Sequence, residues 1–230
     1  MAASVRGFYR SYVAARKLGQ LPAEAVVRSH VAAWYVPILE AQTTPGVDPV
    51  ECGLQGPVDD WSFKQAGVLA GQAVIVIGSQ PAGAPQELAI VATAIPGTGK
   101  ITGITCSTGG ANVTSAGAMD AVTSLYGSYT ALRREGVSPA DAIARLTQGG
   151  PEAADPYLEQ ASYAIARQHL GYDPVTCAAS GVPDVSAGRT TLVAGGTVGV
   201  VAASADRSQF LVTVVLGAKG WAVGDIACIE

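Results

Sequence analysis

Asp48-Pro49-Val50-Glu51-Cys52 and Asp173-Pro174-Val175-Thr176-Cys177 are one turn written twice in a single chain, with an acid, a proline and a cysteine at fixed spacing. Each lies between a segment rich in Ala and Tyr and one rich in Val, Ile and Gly, and each of the latter closes on a second cysteine, Cys106 or Cys228. Such self-similarity marks an internal duplication. The expected class is α+β: two tandem repeats, each with N-terminal helices packed on a curved antiparallel sheet of about four strands.

Upstream of the first turn, Val5, Phe8, Tyr9, Tyr12 and Val13 form one apolar stripe at helical spacing, and Gly19 suits the left-handed cap position. Val122, Leu125, Tyr126 and Tyr129 write the stripe again, ending at Gly136. A second helix follows in both repeats, with Pro22 or Pro139 in its first turn and Glu24 or Asp141 near its positive end. The repeats then diverge. Repeat one continues over Val31–Gln42 with Pro37 interrupting, whereas repeat two passes Gly149-Gly150-Pro151 into a helix expected over about Glu152–Leu170. Pro37-Ile38-Leu39-Glu40 and Pro156-Tyr157-Leu158-Glu159 read as the same helix start.

Downstream, Gly56-Pro57-Val58-Asp59-Asp60 and Gly181-Val182-Pro183-Asp184 are reversals. Strands are expected over Trp61–Leu69, Gln72–Gly78, Glu87–Ile95 and Lys100–Cys106, then over Gly188–Ala194, Thr197–Ala203, Gln209–Leu216 and Trp221–Ile229. Connectors such as Ala70-Gly71 and Pro96-Gly97-Thr98-Gly99 are too short for crossover helices, which predicts antiparallel meanders. Val74–Ile77 and Leu211–Val215 are apolar on both faces, so helices are expected on one side and a further cover, the other repeat, on the second. The repeats are expected at 1–107 and 118–230, joined by a small-residue linker over 108–117.

With 230 residues, 49% of them hydrophobic, and a mean hydropathy of +0.30, the chain has the material for two cores. A charged fraction of 14%, a net charge of −4 and no run of Lys or Arg argue against nucleic acid or an anionic membrane as partner. No apolar run approaches the roughly 18–20 residues of a spanning helix. Met1–Arg6 carries no signal-peptide pattern. The four cysteines fall as one pair per repeat, separated by about fifty residues and without accompanying histidines, which is not a metal-ligand spacing. A disulfide in each repeat, Cys52 with Cys106 and Cys177 with Cys228, is the natural reading, with four buried thiols as the plainer alternative. Disulfides imply an oxidising compartment outside the cytoplasm, with any export signal or lipid or membrane anchor upstream of these residues.

Helices followed by a curved antiparallel sheet, in units of about 110 residues, resemble the cone-shaped fold of nuclear transport factor 2 and its relatives. More narrowly, Phe8-Tyr9 with Tyr12, the Asp-Pro-Val-x-Cys turn and the closing strand Trp221-Ala222-Val223-Gly224-Asp225-Ile226 resemble an uncharacterised family of small exported bacterial proteins and lipoproteins of that fold. In repeat one Gly99 stands where Trp221 would and Gly103 replaces Asp225. The wider fold includes isomerases, dehydratases, cyclases, transport adaptors and secretion-channel subunits, so the resemblance does not fix an activity.

An enzyme of this shape would hold a carboxylate with a Tyr, His or second acid inside the cone. Candidates are Asp59, Asp60, Glu40, Glu159, Asp225 and the tyrosines Tyr9, Tyr12, Tyr126 and Tyr129. Each has a simpler reading as turn former, capping residue or interior stripe. His30 and His169 do not occupy equivalent places, and no nucleophile elbow, zinc-protease helix, phosphate loop or dinucleotide fingerprint is written. No catalytic residue, cofactor or metal is therefore expected. Trp34, Tyr35, Trp61 and Phe63 lack counterparts in repeat two and are the candidate binding residues, either as an exposed surface or as packing against the other repeat. The expected function is a non-enzymatic, exported binding or scaffold protein of the bacterial envelope or exterior, taking a protein or envelope ligand on its sheet or cone mouth. The alternatives are a small-molecule isomerase, hydratase or cyclase, and an extracytoplasmic subunit of a transport or conjugation channel.

Overall fold

The computed structural model describes residues 1–17, 22–41, 48–52, 54, 57–79, 89–107, 115–148, 157, 158, 161, 165, 172–193, 198–205, 208–217 and 220–228. The chain divides into two compact units, Met1–Gly109 and Gly110–Glu230, each with its own helices followed by its own sheet.

In the first unit, α1 (Ala2–Lys17), α2 (Pro22–His30) and α3 (Val36–Glu40) precede β1 (Trp61–Leu69), β2 (Gln72–Ser79), β3 (Ala89–Ala94) and β4 (Ile101–Ser107). In the second, α4 (Ser115–Arg134) and α5 (Pro139–Thr147) precede β5 (Val185–Val193), β6 (Val198–Ala205), β7 (Ser208–Gly217) and β8 (Gly220–Ala227). Both sheets are four-stranded antiparallel meanders in chain order. They also share their irregularities. A register shift falls at Gln65/Gly67 between β1 and β2 and at Ala187/Thr190 between β5 and β6, and another at Thr93/Ala94 and Thr213/Val214 between the last two strands of each sheet. A bulge bends a strand and deepens its twist, so the same curvature is built into both sheets.

The stripe of α1 is buried at Val5, Phe8, Tyr9, Tyr12 and Val13, and that of α4 at Val122, Leu125, Tyr126 and Tyr129. The α5 start obeys its sequence signal: the Ser138 hydroxyl accepts the Asp141 N–H at 3.1 Å and Pro139 sits in the first turn. Pro37 does not interrupt a helix running from Val31. It stands in the first turn of α3, while Val31 bridges Ile101 on β4. In the β1–β2 hairpin Leu69 pairs with Gln72, and Ala70 and Gly71 both have positive φ, the combination a two-residue turn between right-twisted strands requires. Side chains on both faces of β2 and β3 are buried, among them Val74, Ile75, Val91 and Ala92. The expected Glu152–Leu170 helix lies largely outside the described residues, as do Gly19, Glu159 and His169; Tyr157, Leu158 and Ala161 are described and buried.

Helix α4 begins at Ser115, inside the stretch read as linker. A Cβ on Gly117 would lie 2.9 Å from the Trp221 indole, and one on Gly199 would lie 2.8 Å from the Ala118 Cβ. Gly117 and Gly199 thus mark places where α4 comes close to the sheet.

Candidate functional site

The duplicated pentapeptide is one device in both units. The Asp48 Oδ1 accepts the Val50 and Glu51 N–H groups at 2.8 and 2.9 Å, and the Asp48 carbonyl accepts the Cys52 N–H at 2.8 Å. This closes a single helical turn on an aspartate cap. Cys52 then enters the left-handed region at φ 52°, and its sulfur joins Cys106 on β4 across a Cα–Cα distance of 5.4 Å. In repeat two, Asp173 Oδ1 accepts the Val175 and Thr176 N–H groups at 2.9 and 3.2 Å, Cys177 has φ 57°, and its bond runs to Cys228 just past β8 at 5.3 Å. Both cysteine pairs are thus disulfides, and among the described residues no cysteine is free.

The second carboxylate oxygen ties the turn to the first helix. Asp48 Oδ2 accepts the Tyr12 hydroxyl at 2.9 Å and an Arg16 nitrogen at 2.9 Å; Asp173 Oδ2 accepts Tyr129 at 2.7 Å and Arg133 Nε at 3.3 Å. Sequence reasoning found the tyrosines and the aspartates but missed the arginines. Their signal was available: Tyr12 to Arg16 and Tyr129 to Arg133 are the same four-residue step, one helical turn, in both repeats.

The two devices differ in how fully they are closed. In repeat two the Tyr126 hydroxyl donates to the Val175 carbonyl at 2.8 Å and Tyr157 to the Pro174 carbonyl at 2.9 Å, while Arg133 also donates to the Val137 carbonyl. In repeat one the Tyr9 hydroxyl is fully buried and has no hydrogen-bond partner among the described residues. Arg16 is divided between Asp48 and Glu51, each at 2.9 Å. Burial raises the Glu51 carboxyl above its ordinary value, outweighing the opposing pull of Arg16.

Burial also raises the phenols of Tyr9, Tyr12, Tyr126 and Tyr129, with the neighbouring Asp48 or Asp173 adding to it. A raised folded-state value means the unfolded chain releases the proton first as pH climbs. The stability these phenols contribute is complete below about pH 10 and is lost above it, at up to ~1.4 kcal/mol per pH unit for each tyrosine. Urea midpoints taken from about pH 9 to about pH 11, alongside the ultraviolet absorbance of phenolate, should fall together with a single alkaline transition. Phenolate appearing while the urea midpoint stays level would contradict this placement.

Of the four aromatic residues singled out for binding, three are not exposed. Tyr35 is fully buried and its hydroxyl accepts the Ile104 N–H at 2.9 Å, fastening the start of α3 to β4. Trp34 is buried edge-on to Tyr35 at 5.6 Å, and Trp61 is buried edge-on to Tyr9 at 5.7 Å. Phe63 alone is half-buried, with the Arg6 guanidinium 5.0 Å from its ring. Of the two readings of these residues, an exposed surface or packing, Trp34, Tyr35 and Trp61 are buried, with Tyr35, Ile104 and Tyr9 of their own unit among their neighbours.

Two of the candidate acids have ion-pair partners. Asp59 accepts the exposed Arg10 at 2.8 Å, Glu40 lies 3.8 Å from Arg28, and Asp60 belongs to the 3-10 turn Val58–Asp60. Asp225 is buried on β8 opposite Thr213 of β7. His30 Nδ1 contacts Ser29 Oγ at 2.7 Å and the Val26 carbonyl at 3.1 Å near the end of α2. Among the described residues no group of three or more His, Cys, Asp or Glu is placed to hold a metal ion, and no helix is long and apolar enough to cross a membrane.

Beside the device in repeat one is an open cleft of about 450 Å³, walled by Val13, Arg16 and Lys17 of α1, Glu51 and Leu54 beyond the turn, and Pro57 and Trp61 at the start of β1. The hollow beside the Cys177 turn is smaller, about 300 Å³, and small or neutral side chains such as Thr176, Ala178, Ala179, Ser180 and Pro183 line it. No protein family, curated protein or solved structure matches the chain. The repeat-one cleft joins the Trp61 indole edge and aliphatic side chains to Arg16, Lys17 and Glu51, with Arg16 ion-paired to Asp48 and Glu51.

Proposed function

We propose that the chain is an extracytoplasmic, non-enzymatic binding or scaffold protein of the bacterial cell envelope or exterior, made of two cone-like repeats of the nuclear-transport-factor-2 kind and taking a protein or envelope ligand. The observation that carries it is the pair of disulfides, one closed inside each unit between the turn after the helices and the last strand. A reducing cytoplasm does not maintain two such bonds in an ordinary protein. The commitment of Asp48, Asp173, Asp59 and Glu40 to structural partners supports recognition over proton chemistry. Helices followed by a bulged four-stranded meander in each unit agree with the cone-like reading.

Alkylation followed by mass measurement tests the compartment. Protein isolated from its source without reductant should take no label, and four labels only after denaturation and reduction. Labelling of all four cysteines in the native, unreduced protein would remove the ground for export.

A further inference from the structure

We propose that Glu51 makes repeat one acid-sensing: as the solution is acidified the folded turn takes up a proton at this carboxylate, which leaves the Arg16 charge to Asp48 and strengthens the link between turn and α1. Repeat two, with Thr176 at the same place, has no such response.

The geometry sets one cation against two anions. Asp48 Oδ2 and Glu51 Oε2 both lie 2.9 Å from the same nitrogen, Nη1 of Arg16, and the two carboxylate side chains are only 13% and 17% exposed. A single positive charge does not balance both, and like charges so close disfavour each other. The other groups that act on Glu51 come from α1: the Lys17 ammonium draws on its charged form more weakly than Arg16 does, and Tyr9 and Tyr12 are phenols. The remaining walls of the cleft beside it, Val13, Leu54, Pro57 and Trp61, carry no charge. One carboxylate of the pair is therefore in excess.

Hydrogen bonding decides which. Asp48 accepts the Val50 and Glu51 N–H groups on one oxygen, and the Tyr12 hydroxyl and Arg16 on the other. Among the described residues Glu51 accepts from Arg16 alone. Hydrogen bonds to a carboxylate favour its charged form, so the proton settles on Glu51. Repeat two is the comparison written into the same chain. Arg133 there faces Asp173, and Thr176, only 2% exposed, brings a hydroxyl that does not titrate in place of a second carboxylate.

Burial holds the Glu51 carboxyl above its ordinary value in the folded chain, so the folded form binds this proton more tightly than the unfolded one. The stability gained is complete below about pH 4.3, the ordinary glutamate value, and is lost as pH rises through the raised value. Acidification through that window strengthens repeat one at this group, the reverse of what an ion pair stabilised by its charges would do. Because Glu51 also walls the cleft, the same proton removes a negative charge from it.

The test uses the intact, oxidised chain between about pH 7 and about pH 4. By NMR, the Glu51 side-chain carboxyl carbon, assigned through its own amide, should titrate with a midpoint above about 4.3, and the Arg16 Nε signal should move with the same midpoint. In Glu51→Gln, a neutral stand-in for the protonated acid, the Arg16 movement at that midpoint should be lost. The urea midpoint of Glu51→Gln should exceed that of wild type at about pH 7, and the gap should close by about pH 4. Thr176→Val, the matched position in repeat two, should change the urea midpoint by an amount that does not vary with pH. A Glu51 titration at or below about 4.3, an Arg16 signal indifferent to it, a constant gap between wild type and Glu51→Gln, or a pH-dependent one for Thr176→Val would each overturn the proposal. The carboxyl titration needs only the wild-type chain, so it decides the matter even where a variant folds poorly.

Discussion

Replacing Cys177 and Cys228 together by serine is expected to lower the stability of the second repeat by about 4 kcal/mol, because the bond closes a loop spanning 51 residues and the entropy of that closure is restored to the unfolded chain. A domain of this size has on the order of 5–15 kcal/mol in all, so a third or more of its margin is at stake. The melting temperature should drop by roughly 10–20 °C, and the urea midpoint should fall while the slope rises, because the uncrosslinked unfolded chain exposes more surface. The corresponding pair in repeat one, Cys52 and Cys106, is separated by 54 residues. Loop entropy varies only with the logarithm of length, so that term is the same in both. A difference between the two double variants then reports the turns themselves. Repeat one should suffer more, since its Tyr9 hydroxyl holds no turn carbonyl while Tyr126 and Tyr157 hold two in repeat two. A loss below about 1 kcal/mol in both would mean that the bonds do not brace the fold.

Much of this fold is legible in the sequence because its determinants are local. Helical stripes, first-turn prolines and short connectors each act within a few residues, and the pentapeptide announces the duplication on its own. The disulfide partners could be read because only one cysteine pair occurs per repeat. What was illegible depends on distant neighbours. Trp34, Tyr35 and Trp61 carry no mark that separates a core ring from a surface ring, and their burial is decided by Ile104 on β4 and Tyr9 on α1. Gly117 falls in a stretch that reads as spacer by composition, yet it lies on α4 against Trp221, more than a hundred positions later. The cleft is illegible for the same reason: its walls come from α1, the segment after the turn and the start of β1, and only the fold sets Lys17 beside Trp61. Arg16 and Arg133 are the instructive middle case, written in plain spacing but meaningless until the turn that they serve is placed against the helix.

Substituting Asp173 by alanine is expected to cost about 3–5 kcal/mol, comparable to losing the disulfide beside it. One carboxylate accepts two backbone N–H groups, a phenol and a guanidinium, and its side chain is only 7% exposed. Its removal strands Arg133, itself 17% exposed, as a charge with little water to replace the partner. Asp48 holds the equivalent four donors, but Arg16 is 44% exposed and keeps Glu51 as a second acceptor, so Asp48→Ala should cost about 2 kcal/mol and no more than about 3. The order of the two, not either value alone, carries the prediction. Asp173→Asn keeps an oxygen for the Val175 and Thr176 N–H groups and loses the charge that faces Arg133, so it should fall between wild type and alanine. A cycle with Tyr129→Phe should be strongly non-additive, since the phenol has nothing to donate to once the carboxylate is gone. Equal losses at Asp48 and Asp173 would mean that the extra hydrogen bonds of repeat two add nothing, and that the disulfide alone keeps the turn in place.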